Sequence, residues 1–226
     1  MKRLQTMVAL ALALAVACQA EAVGKKGQKK AKPASRDGWE VLFDGKDLSA
    51  WMDRSGGPAP AWVIEDGAVV RKEKVGDLWS KKRYGDFILD LEFKTEGNSG
   101  VFIRTDDPKN NVQTGIEIQV INAAKEPSRH SCGAIYDALA PTKDVTKDGQ
   151  WNHMTVTAKN NKIEVVMNGE KIIDMDLNQW TEPNKNPDGT PNKFKTALKD
   201  FKREGHIGLQ DHGAVVAYRN IRVKAL

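Results

Sequence analysis

The sequence predicts an all-β fold, a two-sheet antiparallel β-sandwich of the jelly-roll type. Apolar and polar residues alternate with the period of a half-buried strand over Asp86–Lys94 and again over Gly115–Ile121. Asn168-Gly169 separates two apolar runs, a strong hairpin signal because both turn positions need positive φ. No strand–helix–strand alternation is present, which argues against a parallel α/β sheet.

Short strands joined by turns are predicted along most of the chain. Besides the two alternating segments, they are Trp62–Ile64, Ala68–Val70, Gly100–Arg104, His153–Ala158, Lys162–Met167, Glu170–Met175, His206–Gln210 and Val215–Val223. One short amphipathic helix is predicted near the C-terminal strands, at Phe194–Arg203, because its apolar residues recur at helical spacing.

The first 22 residues are predicted to be a secretory signal peptide. Lys2 and Arg3 precede an apolar run, and Ala20-Glu21-Ala22 offers a small-residue cleavage site. The run is too short to span a membrane, so we expect an exported protein, periplasmic or extracellular, without a transmembrane segment. A second interpretation is a lipoprotein anchored through Cys18, but Ala15 stands where such signals usually carry Leu.

The positive charge belongs to the N-terminal part of the chain. The whole protein carries a formal charge of +5, but residues 1–37 hold eight basic and two acidic residues, which leaves −1 for residues 38–226. Residues 23–37 are predicted to be a basic, flexible linker, and residues 38–226 the folded domain. A nucleic-acid partner is not expected, because the basic residues do not cluster within that domain.

Cysteine usage gives no sign of a disulfide framework or a zinc site. Cys18 lies in the signal region, and Cys132 is then left without an intramolecular partner. We expect Cys132 to be buried, as free cysteines commonly are.

Several predicted strands carry polar residues on the face opposite their aliphatic one. If those strands are neighbours, these residues could line a groove. They would offer hydrogen-bond donors and acceptors suited to sugar hydroxyls, and one plausible general base. The residues are Arg104, Glu117, Gln119, Gln210 and His212. The alternative is a plain solvated sheet face, which every antiparallel sheet of this kind has.

An ordinary retaining glycosidase is disfavoured by the same strand. Such enzymes need two carboxylates about 5–5.5 Å apart. Glu117 is followed by Gln119 and Ile121, so this strand supplies only one.

The chain resembles the 3-keto-disaccharide hydrolase domain family over residues 38–226. The matching stretches are Gly38-Trp39, Leu42–Leu48, Trp51, Trp62–Gly67, Tyr84–Phe87, Asn98–Arg104, Glu117–Gln119, Gly133–Tyr136, Ala140-Pro141, Trp151-Asn152, Asn168-Gly169, Gly205–Gly213 and Arg219–Ile221. This resemblance implies a concanavalin/laminarinase-like jelly roll that acts on 3-keto glycosides.

The chemistry implied by the resemblance needs no pair of carboxylates. A ketone at C3 acidifies the C2 hydrogen, so a base can form an enolate, the C1 substituent leaves by β-elimination, and water then adds. His212 or Glu117 could be the base, with His130 a further candidate, and Arg104 could hold the enolate oxygen. Gln119, Gln210 and Tyr136 could orient substrate hydroxyls.

Two functions of different classes remain open at this point: an enzyme that cleaves 3-keto glycosides, and a non-catalytic lectin-like carbohydrate-binding module of the cell envelope. No cofactor is firmly indicated, although Glu117, Asp211 and His212 could bind a divalent cation. No dinucleotide-binding turn is present, so a separate sugar oxidoreductase is expected to make the 3-keto substrate.

Overall fold

The computed structural model describes residues 37–226 of the 226-residue chain. The predicted signal peptide, the Cys18 alternative and nearly all of the predicted linker lie outside the described residues. Within those residues, no helix is long and apolar enough to cross a membrane.

Two antiparallel sheets make up the fold, as predicted. The larger sheet contains β1 (Trp39–Phe43), β3 (Val63–Glu65), β4 (Ala68–Arg71), β6 (Phe87–Thr95), β9 (Asn152–Lys159), β10 (Lys162–Met167), β11 (Glu170–Asp176) and β13 (Val216–Ala225). The smaller sheet contains β2 (Trp51–Met52), β5 (Leu78–Ser80), β7 (Ser99–Thr105), β8 (Ile116–Val120) and β12 (His206–Leu209).

Strand order shows why residues far apart in sequence meet. The larger sheet runs β11-β10-β9-β6-β13-β4-β3, and β1 also pairs with the long strand β13. The smaller sheet runs β2-β5-β12-β7-β8. The penultimate strand β12 therefore lies between β5 and β7.

The core lies between the two sheets and follows the alternation in the sequence. In β6, Phe87, Leu89, Leu91 and Phe93 are all fully buried, and the residues between them face the other way. In β8 the core residues are the aliphatic ones, Ile116, Ile118 and Val120. Free Cys132 is buried in the same core, as predicted.

The hairpin predicted at Asn168-Gly169 is present. Asn168 and Gly169 both have positive φ, at 50° and 85°, and they join β10 to β11. The strands β1, β2 and β5 were not among the predicted ones. β2 and β5 are very short and largely buried, and β1 has its two buried residues side by side, so none of the three shows a regular alternation.

The helix predicted at Phe194–Arg203 is much shorter in the structure. Only a 3-10 turn at Leu198–Asp200 forms there, and an α-helix, α1, occupies Asn111–Thr114 instead. The apolar residues that suggested the helix, Phe194, Ala197, Leu198 and Phe201, are nevertheless all buried. Their spacing reflects burial of an irregular segment against the core and not a regular helix.

Candidate active site

The candidate site is built on the face of the smaller sheet that points away from the core. In β8, Ile116, Ile118 and Val120 enter the core, so Glu117 and Gln119 lie on the opposite face. That placement is the one predicted from the alternation in the sequence.

Strand register arranges this face in rows that cross the sheet. Gly208 of β12 lies between Trp79 of β5 and Phe102 of β7, and Phe102 pairs with Glu117 of β8. The next row begins beyond the paired part of β5 and β12, and it contains Asp77, Gln210, Gly100 and Gln119. Its contacts are Asp211 N to Asp77 Oδ1 at 2.8 Å, Gln210 N to Gly100 O at 2.9 Å, and the Gly100–Gln119 pairing.

Glu117 belongs to β8, the last strand in the order of this sheet, and its carboxylate lies over Gly100 of the neighbouring β7. A Cβ atom at Gly100 would lie 2.6 Å from Glu117 Oε1, so the carboxylate occupies the space that a side chain would fill. Gln210 Nε2 donates to the same oxygen at 3.1 Å. Glu117 is only 7% exposed, and burial raises the pKa of its carboxyl group against the opposing effects of Lys193, Gln210 and His212.

Lys193 brings a positive charge to the Glu117 carboxylate. Its Nζ lies 3.7 Å from Glu117 Oε2 and 3.9 Å from the centre of the Tyr136 ring. Burial lowers the pKa of the Lys193 ammonium group, while Glu117 and Asp137 act in the opposite direction. Lys193 was not among the predicted site residues, because it lies in an irregular Asn- and Pro-rich segment with no pattern to mark it.

The loop residue Asp137 holds Lys193 in place. The backbone N–H of Lys193 donates to Asp137 Oδ2 at 2.7 Å, and Asp137 itself has a positive φ of 63°. The backbone N–H of Tyr136 donates to Glu117 O at 2.9 Å. The loop carrying Tyr136 therefore extends the sheet beside β8 and forms one wall of the site.

His130 belongs to the outer part of that wall. Its ring lies 4.8 Å from the Tyr136 ring, and its Nε2 is 3.3 Å from Asp137 Oδ1, with the side chain 57% exposed. This position supports contact with an extended ligand. It is less suited to proton abstraction than the buried Glu117 carboxylate.

His212 lies close enough to two carboxylates to influence both. It is exposed, in the turn after β12, and its charge acts to lower the pKa values of Glu117 and Asp77. The structure joins Glu117 and Gln210 by a hydrogen bond and leaves His212 as an exposed neighbour of the site.

The floor of the site contains polar atoms that lack a protein partner. Gln119 Nε2 donates to Asn98 Oδ1 at 3.2 Å, but Gln119 Oε1, Gln210 Oε1 and Trp79 Nε1 are buried without a hydrogen-bond partner among residues 37–226. Buried polar atoms are normally paired, so this cluster is typical of a site that a polar ligand completes.

Arg104 does not line this groove, which corrects the expectation that it would. Its guanidinium donates to Gly85 O, Asn160 O and Asp86 Oδ1 at 2.9, 2.7 and 2.8 Å, and its side chain is fully buried. All of its strong contacts are structural, so it is not placed to hold an enolate oxygen.

The physical reason is a β-bulge in β7. His206 pairs with Thr105 and Gly208 pairs with Phe102, so two residues of β7 oppose one residue of β12. Arg104, with a positive φ of 50°, is one of the two. The bulge breaks the simple alternation and turns Arg104 away from the face that Phe102 occupies.

The donors suggested for a cation do not converge. Asp211 Oδ2 accepts from the backbone N–H groups of Val75 and Gly76, and Asp211 Oδ1 accepts from Arg71 Nε at 2.5 Å. The Asp211 side chain is 2% exposed, so its oxygens are already used. Within residues 37–226, no group of three or more His, Cys, Asp or Glu residues is arranged to hold a metal ion.

Comparison with known proteins places this fold in a family. A profile of the 3-keto-alpha-glucoside-1,2-lyase-like domain matches residues 38–224. A 3-keto-disaccharide hydrolase of Bacteroides thetaiotaomicron is 26% identical over 233 residues, covering 86% of this chain and 80% of that protein.

Solved structures with a similar fold are named as glycosyl hydrolases. A Parabacteroides distasonis protein named as a glycosyl hydrolase superposes with a TM-score of 0.73 at 32% identity, covering 83% of this chain and 99% of the other. A second such protein from that organism has a TM-score of 0.68 at 27% identity, covering 84% and 95%. Because the profile spans nearly the whole described domain, this chain belongs to the family of 3-keto-alpha-glucoside-1,2-lyase-like domains.

Proposed function

We propose that this protein cleaves the glycosidic bond of 3-keto glycosides by C2 proton abstraction, β-elimination and hydration. The observation that carries the proposal is the buried Glu117 carboxylate, which lies beside the Lys193 ammonium on a sheet face with unpaired polar atoms. The relatives named for 3-keto-disaccharides and 3-keto-α-glucosides support this substrate class.

Glu117 is our choice for the general base. Burial raises the pKa of its carboxyl group, which makes its carboxylate a stronger base than an exposed one. Gln210 Nε2 holds one oxygen in place. In this assignment His212 and His130 are neighbours of the site and not the base.

Lys193 takes the role first considered for Arg104. A cation beside the base can hold the negative oxygen that develops at C3 when the C2 proton leaves. The low-dielectric surroundings of Lys193 strengthen that interaction. The burial that lowers the pKa of Lys193 also favours proton exchange between its ammonium group and the enolate.

The remaining polar groups orient the sugar. Gln119 Oε1 and Gln210 Oε1 are buried acceptors without a partner among residues 37–226, which suits them to pair with hydroxyl groups of a bound sugar, and Tyr136 presents a ring beside Lys193. Hydration of the unsaturated sugar after elimination then gives net hydrolysis.

The wider assignments are also proposals. We propose that a signal peptide over residues 1–22 exports the protein to the periplasm or the outside of the cell. We also propose that a separate sugar oxidoreductase makes the C3 ketone.

The test uses a 3-keto disaccharide and its unoxidised parent, with wild-type protein and two variants. We expect wild type to consume only the keto compound, and Glu117→Gln to lower kcat by about 10²–10⁴-fold, the usual contribution of a general base. Glu164→Gln, on the outer face of the other sheet, is the matched control and should keep full activity.

Other outcomes discriminate between the alternatives. Saturable binding of a glycan with no turnover by wild type would favour the lectin-like module. Full activity in Glu117→Gln would show that another group is the base.

A further inference from the structure

Asp77 lies on the same sheet face as Glu117 and was not anticipated from the sequence. It precedes β5, two residues before Trp79, so its side chain shares the face of Trp79. The contact of Asp77 Oδ1 with Asp211 N at 2.8 Å places it beside Gln210 in the row that ends at Gln119.

Strand order sets the approximate separation of the two carboxylates. Glu117 Oε1 lies over Gly100 on β7, and Asp77 directly precedes β5, with β12 between them. Two strand spacings are roughly 10 Å at the backbone. Asp77 Oδ1 is directed toward the β12 side, where it accepts from Asp211 N, so the separation is of the order of the about 5–9.5 Å over which carboxyl groups cooperate in glycoside cleavage.

A cavity adjoins Asp77 on the side toward β2. Its volume is about 490 Å³, and it is lined mainly by the turn after β2 and by the segment before β5, including Arg54, Ser55, Pro60 and Asp77. Glu117 lies at the other end of the sheet, on β8. A ligand with its reacting ring over Gly100 and its leaving group toward β5 would place that leaving group beside Asp77, next to this cavity.

The contacts of Asp77 leave one oxygen available. Oδ1 accepts the Asp211 N–H, whereas within residues 37–226 Oδ2 has only a long contact of 3.4 Å with Asn111 Nδ2. Asp211 in turn is fixed by the backbone amides of Val75 and Gly76, so the segment that leads into Asp77 is held firmly. Burial raises the pKa of Asp77 and the charge of the Asp211 carboxylate adds to that rise, whereas the Asp211 N–H, Arg54 and His212 act in the opposite direction.

We propose that Asp77 is the proton donor to the leaving-group oxygen, and that the adjoining cavity binds the leaving group, a second hydroxylated ring. This inference rests on the proposed function. It adds to that function the acid, Asp77, and the binding place of the leaving group.

The proton and electron balance is as follows. Glu117 takes the C2 proton, and the C–H electrons form the enolate between C2 and C3. The enolate then restores the C3 ketone and forms a C1–C2 double bond while the C1–O1 bond breaks, and Asp77 gives its proton to O1. Water adds to C1 and gives its proton to the Asp77 carboxylate, and Glu117 returns a proton to C2.

The test compares two 3-keto glucosides that differ in the leaving group. A disaccharide needs protonation of its leaving oxygen, whereas 4-nitrophenolate leaves without it. We expect Asp77→Asn to lower kcat/KM for the disaccharide by about 10²–10⁴-fold and for the nitrophenyl glycoside by less than about tenfold. Asp174→Asn on exposed β11 is the matched control and should match wild type on both substrates.

Equal losses on both substrates, or no loss on either, would overturn the role of Asp77. If Asp77→Asn does not fold, the wild-type pH profile decides: kcat/KM for the disaccharide should show an alkaline limb that the nitrophenyl glycoside lacks, apart from any limb due to Lys193 that both substrates share. Wild type that turns over neither substrate would instead refute the proposed function itself.

The cavity has its own variant. Ser55→Trp should raise KM for the 3-keto disaccharide and leave KM for methyl 3-keto glucoside near the wild-type value, since a methyl group does not reach the cavity. An unchanged KM for the disaccharide would show that the leaving group lies elsewhere.

Discussion

Two glycines on the site face show how single residues set its geometry. Gly100 leaves room for the Glu117 carboxylate, and Gly208 leaves room for the buried indole ring of Trp79. Neither has a positive φ, so both positions tolerate a side chain as far as the backbone is concerned. The two differ in what an added methyl group would displace.

Gly100→Ala should reduce activity without much loss of stability. The new Cβ would push Glu117 Oε1, the flexible end of a side chain, out of position. A displacement of about 1 Å in a catalytic group can cost about 10²-fold in rate, so we expect kcat to fall by about that much. Activity on a 3-keto disaccharide and the midpoint of urea unfolding would be measured together.

Gly208→Ala serves as the contrast. Here the methyl group would meet the rigid, buried Trp79 ring, so we expect a loss of about 1–3 kcal/mol in the free energy of unfolding. Similar effects of the two substitutions on stability would contradict this account of Gly100.

Lys193→Met should impair catalysis if its ammonium holds the enolate oxygen. Removal of one such donor commonly costs about 10²–10³-fold in kcat, and Met keeps a long side chain beside Tyr136. Lys171→Met, at an exposed position of β11, is the control. Unchanged kcat with a raised KM would show that Lys193 binds substrate but does not stabilise the enolate.

At the scale of elements, the bulge in β7 separates the two ends of that strand. Its first half presents Gly100 and Phe102 to the site. After the bulge Arg104 turns toward Gly85, Asp86 and Asn160, and so ties β7 to segments that flank β6 and β9. One strand thus serves both the site and the cohesion of the sandwich.

Arg104→Met should destabilise the protein and spare the chemistry. The substitution leaves Asp86 and two backbone carbonyls without their donor, which costs about 3 kcal/mol, since Asp86 remains partly solvated. Urea unfolding would measure the loss. The folded fraction should keep a kcat within about threefold of wild type, because Arg104 touches no group of the site. A loss of about 10²-fold in kcat would instead restore Arg104 as a catalytic candidate.

At the scale of the whole molecule, the pKa shift of Glu117 makes stability depend on pH. A carboxyl whose pKa is raised in the folded state binds more protons there than in the unfolded state, where 4.5 is the ordinary value. Its contribution to stability is complete below that value and is lost as the pH rises through the folded-state pKa. The same shift requires activity to fall as the pH drops through that raised pKa, because the base must be ionised.

We therefore expect the stability difference between Glu117→Gln and wild type to change in favour of the variant as the pH rises. Urea unfolding of both proteins at several values between about pH 4 and pH 8 would measure this difference. A difference that is constant, or that changes in favour of wild type, would show that the Glu117 pKa is not raised.

Much of the fold could be predicted, because alternation of apolar residues is a local property. Strands β6, β8, β9, β10, β11 and β13 agree with the prediction to within about two residues at each end. The short buried strands β2 and β5 were missed, since two or three residues are too few to show a period. The spacing in Phe194–Arg203 favoured a helix, but tertiary burial of those residues outweighed it.

The sequence by itself determined the sandwich architecture, the shared face of Glu117 and Gln119, and the burial of Cys132, because each follows from side-chain periodicity or residue chemistry. Only the tertiary structure decided that β12 lies between β5 and β7, which brings Asp77 to Asp211 across 134 positions of sequence. It also decided the inward turn of Arg104 and the approach of Lys193 to Glu117. The physical reason is that strand order, bulges and loop placement depend on long-range pairing, which no local period encodes.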